Sequence, residues 1–340
     1  MLARDHVMLY YIIGDQMSRL LTTVSAITVI AGTYVNADVP KVIADIAPIH
    51  SLVSRVMDGV GEPKLIVPNE TSPHDYRLRP ADAQAIEDAN LVFWMGEGLT
   101  PWMERALEAL NSDTDIVEFL ALEESTRLSF REGALFEAHG DHDDHDEHDN
   151  HDDHDKDHDD HDDHAGHDHG EFDPHAWLST SNAKTWVNVI AAKLSSIDPN
   201  NAGTYFANAS EARNEMDALD DEINAMLAPV RGGKFIVFHD AYQYFESVYD
   251  FPASGAISLG DASDPSAARI AEIADRIKRE NIACVLSEPQ FNAGLVKTVM
   301  GGTDANTQVI DPLGFGIEPG SSLYPKLIRA MAQSLVDCLK

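Results

Sequence analysis

Histidine is the side chain best suited to hold a borderline divalent cation at neutral pH, and the sixteen histidines of this chain fall into two unlike settings. Eleven crowd into one tract: His139, His142, His145, His148, His151, His154, His158, His161, His164, His167 and His169. They recur mostly every third residue as His-Asp-Asp, with one step of four around Lys156. Imidazoles flanked by carboxylates form a mixed nitrogen and oxygen donor set that suits Zn²⁺, and a flexible chain lets several converge. Ordering that chain costs roughly 1–2 kcal/mol per residue fixed, so the tract is expected to be an auxiliary site weaker than any preformed cleft. Protons compete for the same imidazoles, so its binding should weaken as pH falls through the histidine range. A purely solvated acidic run is the bland reading, and eleven histidines argue against it.

His6 lies near the N-terminus, which leaves His50, His74, His175 and His239 for the folded part. His74 sits in Ser72-Pro73-His74-Asp75-Tyr76, shortly after a predicted strand Lys64–Val67, and His239 follows a predicted strand Lys234–Phe238. In α/β folds the crevice beyond strand carboxyl ends is where ligands bind. His175 occurs in Phe172-Asp173-Pro174-His175-Ala176-Trp177, where the X-Pro step enforces extended backbone just before a helix. Three neutral imidazoles at about 2.0–2.1 Å, with a fourth donor from protein or water, make a tetrahedral zinc site. His50 pairs with none of these by spacing and is expected to face solvent on a helix. Glu288 ends a predicted strand before Pro289, and we leave it outside the ligand set as a supporting or structural carboxylate.

These residues need rigid elements. Short apolar runs alternate with amphipathic stretches, the pattern of α/β lobes with largely parallel sheets. The first half reads as strands Val42–Ile46, Lys64–Val67, Leu91–Met95 and Asp115–Leu120, with helices from Pro48 to Met57, from Pro80 to Asp88, and one capped by Thr100. Helical spacing follows over Thr180–Ser195, and then over a long polar stretch, Asn200–Leu227. The second half repeats the scheme with strands Lys234–Phe238, Ala256–Leu259, Ala283–Ser287 and Gln308–Ile310. Its helices are Tyr242–Tyr249, Pro265–Arg279 with Ser263 as cap, and Tyr324–Cys338. The expected architecture is two lobes joined by one helix: 38–198 with 139–169 as an inserted loop, the connector 199–229, and 230–340.

Charge and leader narrow the function. The formal net charge is −34, of which fifteen acidic residues against one Lys between His139 and His169 supply −14. Nucleic acid and anionic membrane surfaces would be repelled, so a cation is the natural ligand class. Met17-Ser18-Arg19, an apolar run from Leu20 to Tyr34, and Val35-Asn36-Ala37 fit a signal peptide cleaved after Ala37, with residues 1–16 upstream of it. No other stretch approaches the roughly 20 apolar residues of a membrane span, so a mature chain that does not cross the membrane is expected. Cys284 and Cys338 are the only cysteines; an even pair in an exported protein reads as a disulfide, with two buried thiols as the alternative.

Four segments carry a family resemblance. They are Ser72-Pro73-His74-Asp75-Tyr76-Arg77-Leu78-Arg79-Pro80, Glu171-Phe172-Asp173-Pro174-His175-Ala176-Trp177-Leu178-Ser179, Phe238-His239-Asp240-Ala241-Tyr242-Gln243-Tyr244-Phe245-Glu246, and Ser287-Glu288-Pro289-Gln290-Phe291. Over about residue 40 to the end, the chain resembles the ZnuA family, the periplasmic zinc-binding components of bacterial zinc ABC transporters. The resemblance implies two lobes on a long backbone helix, Zn²⁺ in the cleft between them, and His74, His175 and His239 as ligands. It implies a membrane ABC permease as partner and a bridge between Cys284 and Cys338; a monomer with no enzymatic activity is expected. Some members place a Glu ligand directly before the first His, where this chain has Pro73. Related metal-binding proteins use an Asp of the second lobe, which points to Asp311 in Val309-Ile310-Asp311-Pro312 as fourth ligand. Water is the rival for that position, and a turn carboxylate bonding nearby backbone is the competing role for Asp311.

Two other functions fit parts of the pattern. A manganese-binding protein or adhesin on the same fold would want more oxygen donors than three imidazoles supply. An exported zinc hydrolase would need an open fourth position and a general base, and neither a His-Glu-x-x-His helix nor a Gly-x-Ser-x-Gly elbow is present.

Overall fold

The computed structural model describes residues 39–109, 114–131, 136, 172–258, 265–291 and 293–340. The expected leader with its cleavage point, the His139–His169 tract and the Ser263 cap lie outside the described residues.

Continuous apolar runs become central strands buried on both faces, as parallel sheets covered by helices require, while Lys64–Leu65, Asp115–Glu118 and Asn306–Val309 are partly exposed. Strands β1 (Val42–Ala44), β2 (Lys64–Leu65), β3 (Leu91–Trp94) and β4 (Asp115–Glu118) form a parallel sheet in the order β2-β1-β3-β4. Val42 pairs with Leu91, and Leu91 in turn with Asp115. The second sheet repeats the order as β6-β5-β7-β8, from β5 (Phe235–His239), β6 (Ala256–Ser258), β7 (Cys284–Ser287) and β8 (Asn306–Val309). Phe235 pairs with Cys284, and Cys284 with Asn306. The chain thus reverses direction across each sheet between its first and third strands, which is where such folds place ligands.

Helices α1 (Ala47–Val56), α2 (Pro80–Glu87) and α3 (Pro101–Glu108) connect the first sheet. Helix α4 (Thr180–Ile197) starts on Ser179, whose hydroxyl accepts the Asn182 N–H. Helix α5 (Ala202–Leu227) is the long one, and it buries Tyr205, Ala209, Ala212, Met216, Leu219, Ile223 and Leu227 along a single stripe. That stripe explains how so polar a segment is held: it packs on α1, α4 and the C-terminal α9 (Leu323–Leu339). Helices α6 (Gln243–Tyr249), α7 (Ala267–Glu280) and α8 (Ala293–Val299) belong to the second half. Helix α9 also packs on α1, β7 and β8, so it spans elements of both sheets.

The Cys284–Cys338 disulfide is formed, with a Cα–Cα distance of 5.6 Å, and ties β7 to α9. Three local expectations are corrected. The α7 cap is Ser266, whose hydroxyl accepts the Arg269 N–H. Thr100 stands at the start of α3, but its hydroxyl is turned to the Trp94 indole N–H rather than to its own helix. Helix α8 was not foreseen, because Gly294 and its short span hide the helical period. Among the described residues no helix is long and apolar enough to cross a membrane.

Candidate metal site

Each of the three histidines is placed by a different device. His239 is the last residue of β5, 2% exposed, so the strand itself aims it at the crevice. His175 follows the Asp173-Pro174 step; it stands at the N-terminus of a single 3₁₀ turn, Ala176–Leu178, and is 6% exposed. His74 lies in the loop between β2 and α2 and is half-buried. Its turn is pinned by the Trp102 indole N–H, which donates to Pro73 O at 2.9 Å. Pro73 therefore serves this loop with its carbonyl, where some relatives would have a carboxylate side chain.

Buried carboxylates hold the other two imidazoles. Asp173 Oδ1 lies 2.7 Å from His175 Nδ1 and also accepts the His175 N–H at 3.0 Å. Glu288 Oε1, just beyond β7, lies 2.6 Å from His239 Nδ1. A carboxylate so close to Nδ1 calls for the proton there, which makes Nε2 of each ring the nitrogen that can donate to a metal. Those two Nε2 atoms face each other at 3.4 Å. The ring centroids of His175 and His239 are 5.2 Å apart, and His74 stands 5.9 Å from His175. Among the described residues no three His, Cys, Asp or Glu side chains yet stand close enough to hold an ion jointly.

The three histidines line one small cavity with Trp177, Glu288 and Phe291. Its interior volume is about 10 Å³, that of a single water-sized species. Its walls join the two halves of the chain: Trp177 Nε1 donates to Pro312 O at 2.8 Å, and the Asn69 amide donates to Gly314 O and Ile317 O.

Asp311 is not among the lining residues, although Pro312 and Leu313 are. Its Oδ1 accepts the Leu313 N–H at 3.0 Å and the Gln290 amide at 3.4 Å. Burial raises its pKa, and those hydrogen bonds partly oppose the rise. His50 is not the solvent-facing residue its spacing suggested; it is half-buried with Nε2 3.0 Å from Pro63 O, and burial lowers its pKa. Sequence reasoning missed Asp173 as the partner of His175 and missed Arg131 altogether. The first had a signal, since the Asp-Pro-His step places a carboxylate two residues from the ring it serves.

Two parallel-sheet lobes facing one cleft make up the architecture of a solute-binding protein. A family model described as zinc-uptake complex component A, periplasmic (ZnuA), matches residues 42–338. The high-affinity zinc uptake system protein ZnuA of Brucella abortus is 48% identical over 304 residues, covering 88% of this chain and 91% of that one. Its counterpart in Paracoccus denitrificans is 44% identical, covering 89% and 93%. A crystal structure of ZnuA superposes with a TM-score of 0.68 at 23% identity, covering 89% of this chain and 100% of the other. FpvC of Pseudomonas aeruginosa, solved in complex with Mn²⁺, matches with a TM-score of 0.68 at 19% identity, covering 88% and 98%. Those two structural likenesses speak for the fold alone. The chain belongs to the ZnuA family of periplasmic zinc-uptake components.

Proposed function

We propose that this chain captures Zn²⁺ in the periplasm between His74, His175 and His239 and delivers it to a membrane ABC importer. The observation that carries the reading is the facing Nε2 pair. Two imidazole nitrogens brought this close, each ring with a carboxylate behind its Nδ1, are arranged as a cation between them would hold them. Their 3.4 Å separation matches the edge of a zinc tetrahedron, about 3.3–3.4 Å for Zn–N bonds of 2.0–2.1 Å. Asp173 and Glu288 together bring two negative charges to the rear of the pair, which offsets the charge of one divalent ion.

His74 closes on the ion as third ligand, and water or Asp311 completes the site. Asp311 would first have to release the Leu313 N–H and Gln290, whereas water has no such competing bonds. The tract from His139 to His169 acts as the weaker auxiliary site. On this reading the lobes are 38–198 and 230–340 with 199–229 between them. The leader is removed after Ala37, and the mature chain acts as a monomer that docks on the permease. Manganese is disfavoured by a donor set of three imidazoles. Hydrolysis is disfavoured by membership of a family of zinc-uptake components.

Zinc titration of the parent, a 139–169 deletion and a His74→Ala/His175→Ala/His239→Ala variant tests this. The parent should show one tight site plus weaker ones. The deletion should keep the tight site alone, and the triple variant should lose it. A tight site surviving in the triple variant would falsify the assignment.

A further inference from the structure

Residues Leu128–Arg131 and Phe172–Asp173 lie side by side, with an antiparallel bridge between Ser129 and Phe172 and a bond from Asp173 N–H to Leu128 O at 2.8 Å. This pair of segments is fastened to the start of α6. The Tyr244 hydroxyl accepts the Leu128 N–H and donates to Asp173 O, both at 2.9 Å. The Gln243 amide donates to Ser129 O at 3.1 Å and to Asp173 Oδ2 at 3.2 Å. Asp173 is the same carboxylate that holds His175 Nδ1.

Arg131 makes the strongest of these links. Its Nε donates to both Asp240 oxygens at 3.0 Å, and Nη2 also reaches Asp240 Oδ1. Nη1 donates to Glu246 Oε2 at 2.7 Å and Nη2 to Glu246 Oε1 at 3.1 Å. Both carboxylate side chains are almost wholly buried, and Phe136 covers the guanidinium face at 3.5 Å. Two adjacent buried carboxylates tolerate each other only while a cation forks between them. Asp240 follows His239 directly, so the fork fixes the end of β5 against the segments that carry Asp173.

From this arrangement we infer that Arg131 is a positioning residue for the bound ion: its clamp on Asp240 and Glu246 sets the spacing of the His175 and His239 imidazoles and thereby slows zinc release. This rests on the cleft reading above. The rings are attached to different halves of the chain, and apart from the Gln243 and Tyr244 hydrogen bonds the Arg131 fork is the charged tie beside them.

The test uses the full chain loaded with one equivalent of metal, which fills the tight site first. Zinc release into excess chelator is followed by stopped flow, and the d–d band of the Co²⁺ form is recorded. Arg131→Gln should release zinc about tenfold faster or more, with an altered cobalt band, in line with losses seen for outer supporting residues. Arg131→Lys keeps the charge but not the fork, so it should fall between parent and Arg131→Gln. A triple variant, Arg131→Gln/Asp240→Asn/Glu246→Gln, removes the charges with the clamp and should release as fast as Arg131→Gln. A folded Arg131→Gln protein with the parent's release rate and cobalt band overturns the inference, since a merely structural residue would lower stability only. A triple variant that regains the parent's rate overturns it too, because bare charge would then be the cause. If Arg131→Gln does not fold, parent-like release and band in Arg131→Lys overturn it. A parent chain without a nitrogen-rich one-equivalent cobalt spectrum defeats the cleft reading itself, and the inference with it, before any variant is made.

Discussion

The two sheets have the same strand order, and each buries a carboxylate at the point where that order reverses, yet the two carboxylates have opposite employments. In the first sheet Asp45, just past β1, accepts the Ile46 N–H and the Met95 N–H, both at 2.8 Å, and so stitches β1 to the residue after β3. In the second sheet the carboxylate comes from beyond the third strand, as Glu288, and reaches back to the His239 ring. Asp45 satisfies backbone donors. Glu288 orients a side chain whose other nitrogen faces the cleft. A buried carboxylate at a switch point is therefore not a site by itself; what it bonds to decides whether it serves fold or ligand.

The second sheet is also the one with a covalent tie, and cutting it is the largest expected effect on stability. The disulfide closes a 54-residue separation, for which loop entropy predicts about 4 kcal/mol. Cys284→Ser/Cys338→Ser should lower the free energy of unfolding by about that amount, measured by denaturant titration of metal-free protein. If β7 is a frame for Glu288 and His239, the loss should also weaken zinc binding. Unchanged affinity at lowered stability would separate the frame from the site.

The next effect is confined to the first sheet. Burial pushes the Asp45 carboxyl up to about 7, against the backbone bonds from Met95 and Ile46 that lower it. Its folded pKa thus lies above its unfolded value of 3.8, so ionisation opposes folding. The penalty is absent below about pH 4, grows through the interval, and reaches at most about 4 kcal/mol above pH 7. Asp45→Asn should flatten this part of the stability profile between pH 4 and 7.5, at the expense of one backbone hydrogen bond. A variant whose profile parallels the parent's would show that Asp45 is not the buried acid responsible.

Much of this was legible in the chain. The strands were visible because parallel strands buried on both faces need uninterrupted apolar runs such as Leu91–Trp94, and the long helix because its stripe survives in a polar sequence. The positions of His239 at a strand end and of His175 after an X-Pro step could be read, while singling them out as a set rested on the family resemblance. What could not be read was partnership across distance. Nothing in sequence joins Arg131 to Asp240 and Glu246, more than a hundred positions away, or Trp102 to Pro73. The side chain of Asp311 was equally undetermined: Asp before Pro suits a ligand or a turn, and its bonds to Leu313 and Gln290 are those of a turn.

The sharpest challenge to the comparison sets the two carboxylates against each other in one assay. Glu288→Gln keeps an acceptor near His239 Nδ1 but removes the charge that makes the ring a better donor to a cation. It should weaken zinc binding by about 10–100-fold, or about 1.4–2.7 kcal/mol. Asp173→Asn should do the same from the His175 side, with an added loss because its Oδ2 also receives Gln243. Asp45→Asn, equally buried, should leave zinc affinity where it is, since Met95 and Ile46 are backbone partners outside the cavity. Chelator competition at neutral pH on all three variants gives the ranking. Were Asp45→Asn to weaken zinc as much as Glu288→Gln does, the two switch points would be acting alike through general rigidity. The orientation of His239 by Glu288 would then lose its claim to be specific.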